Sequence, residues 1–273
     1  MTILVAGATG NVGRHIVQQL VEAGQSVRAL SRRPDKAHFP EGVEVVQGDL
    51  SSPETLEKAL NGVKGLHLIT FNGEGFAPLQ TGPEIVRLAE QAGVKRVTVL
   101  WNGEDGPVEQ AVQESGLEWT ILQPVEYMSN SLEWVESIRT EGIVREPFDT
   151  LSTVIHEADI ASVAVTALLE DGHAGKSYTM TGPAALSVAE RVRIMSETLE
   201  RNIQYVKVDL DQARERMRAR GATEEVIEFV VGWHENPPES AYTVFPTVEQ
   251  VTGKPARTYE QWVAERAQDF TLL

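Results

Sequence analysis

Residues 1–13 read MTILVAGATGNVG, and the rest of the chain is organised around them. Ile3, Leu4, Val5 and Ala6 form an apolar run with no polar face, the pattern of a strand buried on both sides in a parallel sheet. Gly7, Gly10 and Gly13 follow, and from Asn11 the pattern turns helical, with Val12, Ile16, Val17, Leu20 and Val21 on one face. The reading is strand, glycine turn, helix. A turn this tight needs positive φ, which glycine reaches without penalty, and a missing side chain lets a pyrophosphate approach the N–H groups of a helix N-terminus. Gly7, Thr9, Gly10, Asn11, Val12 and Gly13 are therefore candidate contacts to a nucleotide.

Working outward, SVRAL (26–30), VEVVQ (43–47), GLHLIT (65–70), RVTVL (96–100) and LEWTIL (117–122) read as the second to sixth strands. Pro53 opens a helix with an acid in its first turn, and residues 81–92 and 107–115 are amphipathic helices. This alternation predicts an α/β, Rossmann-type doubly wound parallel sheet in the order 3-2-1-4-5-6, with ligands beyond the strand carboxyl ends. Residues 1–125 are the expected nucleotide-binding core. Residues 126–273 are expected to complete the sheet and form a smaller, mixed C-terminal substrate lobe within a single compact unit. Helices are expected there near 127–139, 158–170, 187–199, 211–220, 224–233 and 259–269, with strands at 176–181 and 203–208. The run DLDQARERMRAR (209–220) alternates charge at helical spacing and reads as a solvated helix face.

With 24 Lys and Arg against 40 Asp and Glu, the net charge of −16 would repel a nucleic-acid backbone, so nucleic acid is not an expected partner. Residues 1–50 hold five basic and five acidic residues, so the acidity lies in the remainder. Solubility is the plainer meaning; a neutral end that does not repel a polyanionic cofactor is the other. The chain has no cysteine, which excludes disulfides, a thiolate nucleophile and cysteine-ligated metal. No His and carboxylate spacing suggests a metal site, and none is expected. No apolar run reaches membrane-spanning length and the start lacks a signal-like pattern, so a cytoplasmic protein without a membrane partner is expected.

The GxxGxxG spacing of GATGNVG, opening the chain, resembles the NmrA-like, atypical branch of the short-chain dehydrogenase/reductase superfamily. The likeness extends to Ser115–Pro124 (SGLEWTILQP), where Gln123 replaces the commoner arginine, to His156–Ala161 (HEADIA), and to Gly175–Tyr178 (GKSY). The resemblance implies a nicotinamide dinucleotide cofactor. An NAD-preferring site usually carries an acid after the second strand, to hold the ribose 2′-hydroxyl. Arg32 and Arg33 stand there instead, suited to a 2′-phosphate, unless they are an ordinary exposed pair. NADP(H) is thus the expected cofactor. Asp49 and Leu50, ending the third strand, resemble the segment near the adenine, and Thr70, Phe71, Asn72 and Pro124 are expected along the cofactor.

The departure from the family pattern concerns chemistry. The enzymatic branches use a Tyr-x-x-x-Lys pair, yet residues 96–175 contain no lysine, and their only tyrosine is Tyr127. Three residues remain as catalytic candidates. Tyr127 could donate a proton or form a pocket wall; Asn102 could hold a substrate oxygen or cap a strand; His156 titrates near neutrality, but orienting the loop before Asp159 is the simpler role. An apolar pocket near Phe71, Trp101, Tyr127, Met128 and Trp134 is expected. The function expected is reduction of a quinone, enone, imine or carbonyl of a small apolar substrate by hydride transfer. A non-catalytic NADP(H)-binding redox sensor that regulates a partner protein is the alternative, and a homodimer is the one assembly kept open.

Overall fold

The computed structural model describes residues 1–71 and 77–271. They form two compact units: Met1–Pro124 with Glu157–Met180 and Thr247–Lys254, and Val125–His156 with Thr181–Pro246 and Pro255–Leu273. Residues 126–273 are accordingly divided, because 157–180 and 247–254 belong to the first unit.

The first unit is built on β1 (Thr2–Val5), β2 (Ser26–Ser31), β3 (Glu44–Gln47), β4 (Gly65–Ile69), β5 (Arg96–Leu100), β6 (Glu118–Pro124) and β7 (Lys176–Met180). All seven pair in parallel, in the spatial order 7-6-5-4-1-2-3. This is the expected 3-2-1-4-5-6 order with β7 added beside β6. β1 and β4 are neighbours in the sheet but not in the chain, so the switch point lies between them. Ile3 to Ala6 are buried, as an interior parallel strand requires. On one face α2 (Gly82–Gln91) and α3 (Pro107–Glu114) contribute Ile85, Val86, Leu88, Val108 and Val112 to a core shared with Leu4, Leu66, Leu68, Val97 and Val99. α1 (Gly13–Glu22) packs with α4 (Glu157–Leu169), and Gln19 ties the two by donating to the Ala158 carbonyl at 2.9 Å.

The second unit holds α5 (Val188–Thr198), α6 (Leu210–Ala219), α7 (Glu224–Glu235) and α8 (Tyr259–Glu265). Two parallel two-stranded pairs join Ile143–Glu146 to Gln204–Lys207 and Glu126–Tyr127 to Val154–Ile155. Its core is aromatic: Tyr259 stacks on Trp262, and Trp262 meets Phe270 edge to face, beside Met128, Trp134, Val192 and Met195. The helix expected over 127–139 is corrected here. Tyr127 is extended, Met128–Trp134 is 3₁₀ and only Val135–Glu141 is α-helical. Ser129 and Ser131 lie in that stretch, and the buried Ser131 accepts a hydrogen bond from the Tyr259 hydroxyl at 2.7 Å, so tertiary bonding overrides the apolar spacing. The helix expected over 259–269 is broken in the same way, with Arg266 separating α8 from Ala267–Phe270. No helix among the described residues is long and apolar enough to cross a membrane.

Candidate functional site

At the end of β1 the three glycines act differently. Gly7 has φ +64° and faces Ile69 of β4, 3.0 Å from where a β-carbon would stand. Its carbonyl accepts from the Gly10 N–H at 2.9 Å and closes the turn. A β-carbon on Gly13 would lie 2.1 Å from that same carbonyl oxygen, so α1 approaches the strand end through Gly13. Thr9, Gly10 and Asn11 form the exposed crest of the turn, while Val12 is buried as the residue preceding the helix. Among the described residues Gly10 has only one close neighbour for an added β-carbon, the Gly7 oxygen at 3.1 Å.

The start of α1 has no side-chain cap and no acid in its first turn. α5 and α8, by contrast, begin with complete capping boxes, from Ser187 with Glu190 and from Thr258 with Gln261. A helix start without an acid, behind an exposed glycine crest, fits a pyrophosphate, whose charge complements the helix dipole.

Register places the other cofactor candidates at the same edge. Val5 pairs with Ala29 and with His67, which puts Ser31 and Ile69 level with Gly7. Arg32 and Arg33 follow directly on β2, both exposed, with the Arg33 N–H bonded to the Ser31 hydroxyl at 3.1 Å. Arg28, inside β2, is by contrast consumed by Glu44 and by the Ala59 and Asn61 carbonyls. Asp49 caps the turn after β3 by accepting from Ser51 N–H at 2.8 Å, and the Leu50 carbonyl accepts from the Thr81 hydroxyl at 2.6 Å. Thr70 is buried, and its carbonyl fixes the returning chain by accepting from Leu79 N–H at 2.8 Å. Phe71 is half-buried and bridges to Pro78; Asn72 lies outside the described residues. Asn102 is half-buried just past β5, beside Trp101, whose ring N–H donates to Asp105 at 2.9 Å. Pro124 is the buried last residue of β6, paired with Met180.

In the second unit, Tyr127 is half-buried on its short strand. His156 is buried, with Nε2 at 3.1 Å from a carboxylate oxygen of Glu265, an arrangement suited to fixing the loop. Met128 belongs to the core and also borders a cavity with Val154, Leu186, Ile194 and Tyr259, whereas Trp134, expected as pocket lining, is a core residue instead, and its ring N–H donates to Glu146 at 2.7 Å. Burial raises the Glu146 carboxyl above its ordinary range, against the opposing pull of that bond and of the Arg216 charge. Sequence reasoning missed the buried ion pair between Glu126 and Arg191, which joins residues 65 positions apart. Its one visible sign is an arginine at a core-facing position of α5.

The NAD(P)H-binding family model matches residues 7–103. Among relatives, (4-alkanoyl-5-oxo-2,5-dihydrofuran-3-yl)methyl phosphate reductase of Streptomyces griseus subsp. griseus is 35% identical over 98% of this chain and 99% of its own length. NAD(P)H azoreductase of Xenophilus azovorans is likewise 35% identical over 98% and 99%. Two solved structures share the fold. The Escherichia coli NADPH-dependent quinone oxidoreductase QOR2 with NADPH has TM-score 0.81 at 22% identity, covering 96% of this chain and 99% of that one. NmrA, a negative transcriptional regulator, with NADP has TM-score 0.72 at 21% identity over 97% and 94%. The glycine turn, the sheet order and these full-length relatives together place the chain in the NmrA-like, atypical branch of the short-chain dehydrogenase/reductase superfamily, as an NAD(P)H-dependent oxidoreductase.

Proposed function

We propose that this protein reduces a conjugated, electron-poor acceptor of a small apolar substrate, such as a quinone, enone, imine or activated carbonyl, with NADPH as the preferred donor. The carrying observation is the absence of any lysine between Arg96 and Gly175, which removes the usual Tyr-x-x-x-Lys pair. A plain ketone needs strong protonation as hydride arrives, whereas a conjugated acceptor spreads the incoming charge over its own π-system and needs little help. The two relatives at 35% identity are named for an azo acceptor and an alkanoyl-oxo-dihydrofuran acceptor, both conjugated.

The bound nicotinamide supplies the hydride. For a quinone the balance is one hydride from NADPH and one proton from Tyr127 or solvent, giving hydroquinone and NADP⁺. In this reading the turn at Gly7 to Gly13 holds the pyrophosphate, Arg32 and Arg33 take the 2′-phosphate, and Asn102 holds a substrate oxygen. His156 is assigned a structural role through Glu265. NADPH and NADH consumption measured across quinones, enones, imines, azo compounds and unactivated ketones tests this. Turnover should fall steeply from conjugated acceptors to plain ketones; equal turnover of ketones would overturn the substrate class.

A further inference from the structure

Arg191 is 3% exposed, and α5 buries Val188, Arg191, Val192 and Met195 on one stripe, so a charge stands where a simple core helix would carry an apolar residue. Its guanidinium lies over the Trp134 ring, 5.3 Å from the centroid. Nη1 donates to one oxygen of Glu126 at 3.2 Å, while the other oxygen of Glu126 accepts from the Ser152 hydroxyl. The ion pair is thus single-pronged, and Arg191 Nε is buried with no acceptor among the described residues. Neutralising Glu126 would be better served by a two-pronged pair; a buried N–H on a cation with no protein acceptor is costly and needs another reason.

We propose that Arg191 Nε–H is the anchor for the acceptor oxygen of the substrate, a neutral carbonyl oxygen of a quinone or enone, an inference that rests on the reductase reading above. The charge balance selects neutral oxygen over an anion. Glu126 touches the guanidinium and Glu146 touches the Trp134 ring beneath it, so a carboxylate or phosphate would meet two carboxyl groups. A neutral carbonyl oxygen is spared that repulsion and can accept from the buried donor. Access lies with α7, which carries His234, stacked on Phe148 at 5.7 Å and subject to the charges of Glu126 and Arg191. α7 buries only Ile227 and Val231 and leaves Phe229 64% exposed, and its ion pairs, Glu228 with Arg214 and Glu224 with Arg218, run to α6, so few apolar contacts hold it to the core.

The test is quenching of tryptophan fluorescence on titration with 2-methyl-1,4-naphthoquinone and, separately, with 4-(dimethylamino)azobenzene, which has no oxygen. Arg191→Lys keeps a cation for Glu126 but removes Nε–H. It should weaken quinone binding about tenfold to a hundredfold, the value of one hydrogen bond to a charged group, and leave azobenzene and NADPH affinity within about twofold. Glu126→Gln, with Arg191 intact, should bind the quinone at least as tightly as wild type, which keeps the inference testable if Arg191→Lys does not fold. Equal weakening for both ligands, unchanged quinone affinity, weaker binding in Glu126→Gln, or no quinone binding by wild type would overturn it. NADPH consumption on the same compounds reads the reductase proposal separately: Arg191-dependent binding without turnover sinks that reading alone.

Discussion

The carbonyl oxygen of Gly7 occupies the place a β-carbon on Gly13 would need, at 2.1 Å. No side-chain rotation relieves that clash, because both partners are backbone. Gly13→Ala should therefore lower thermal stability by several degrees or prevent folding. Gly10→Ala meets the same oxygen only at 3.1 Å and sits on the exposed crest, so it should fold with near wild-type stability yet lose NADPH affinity, its methyl group standing where the pyrophosphate approaches. Circular dichroism melts and calorimetric titration check both. A folded Gly10→Ala protein with unchanged affinity would remove the nucleotide assignment of the turn.

Arg32 and Arg33 should set cofactor preference. One hydrogen bond to a charged group is worth about 1.5 to 3 kcal/mol, or roughly ten- to a hundredfold in affinity. Arg32→Ala with Arg33→Ala should erase most of the preference for NADPH over NADH while leaving NADH affinity nearly unchanged. Equal affinity of the wild type for both cofactors would reduce the pair to surface charge.

His67 should make the protein acid-sensitive. It is 0% exposed in β4, bonded through Nδ1 to the Thr98 hydroxyl at 2.9 Å, and its Nε2 has no partner among the described residues. Burial lowers its pKa to about 3. Between the ordinary value of about 6.5 and that figure, only the unfolded chain takes up this proton, so stability falls with falling pH by about 1.4 kcal/mol per unit from this group. Above about 6.5 the contribution is flat. His67→Leu should show a shallower loss between pH 6 and pH 4 in urea unfolding, by about one proton's slope. Parallel curves for variant and wild type would refute the assignment.

The first unit was legible because its information is local. Apolar runs, Gly7 to Gly13 and the Pro107 helix start each report on their own neighbours, and parallel crossovers leave few ways to order the strands, although the helix expected from Pro53 opens as a 3₁₀ turn (Pro53–Leu56) with only Glu57–Leu60 α-helical. The second unit was less so. Tyr127 is extended because Val154–Ile155 pairs with its strand, Ser131 is held by Tyr259 across 128 positions, and Glu126 finds Arg191 across 65. None of these contacts leaves a periodic trace. Register alone brings the cofactor candidates to one sheet edge, whereas Trp134 fell to the core because apolar residues after a strand end read alike whether they face a ligand or one another.

Tyr127→Phe separates a proton donor from a wall residue. The usual lysine partner is missing between Arg96 and Gly175, and the hydroxyl is therefore proposed as a donor and not as a base. Reduction should then outrun the reverse alcohol oxidation by a wide margin. Removing a general acid typically costs about 10²- to 10⁴-fold, and solvent substitutes most readily where the acceptor is conjugated. Tyr127→Phe should therefore slow quinone reduction modestly, slow carbonyl reduction by more, and leave NADPH affinity unchanged. Stopped-flow hydride transfer with each acceptor class, beside calorimetric NADPH binding, provides the check. An equal small loss for every acceptor would make Tyr127 a wall. If the wild type reduces no acceptor at all, and a pull-down captures a protein partner only when NADPH is present, the reductase reading fails and the redox-sensor reading takes its place.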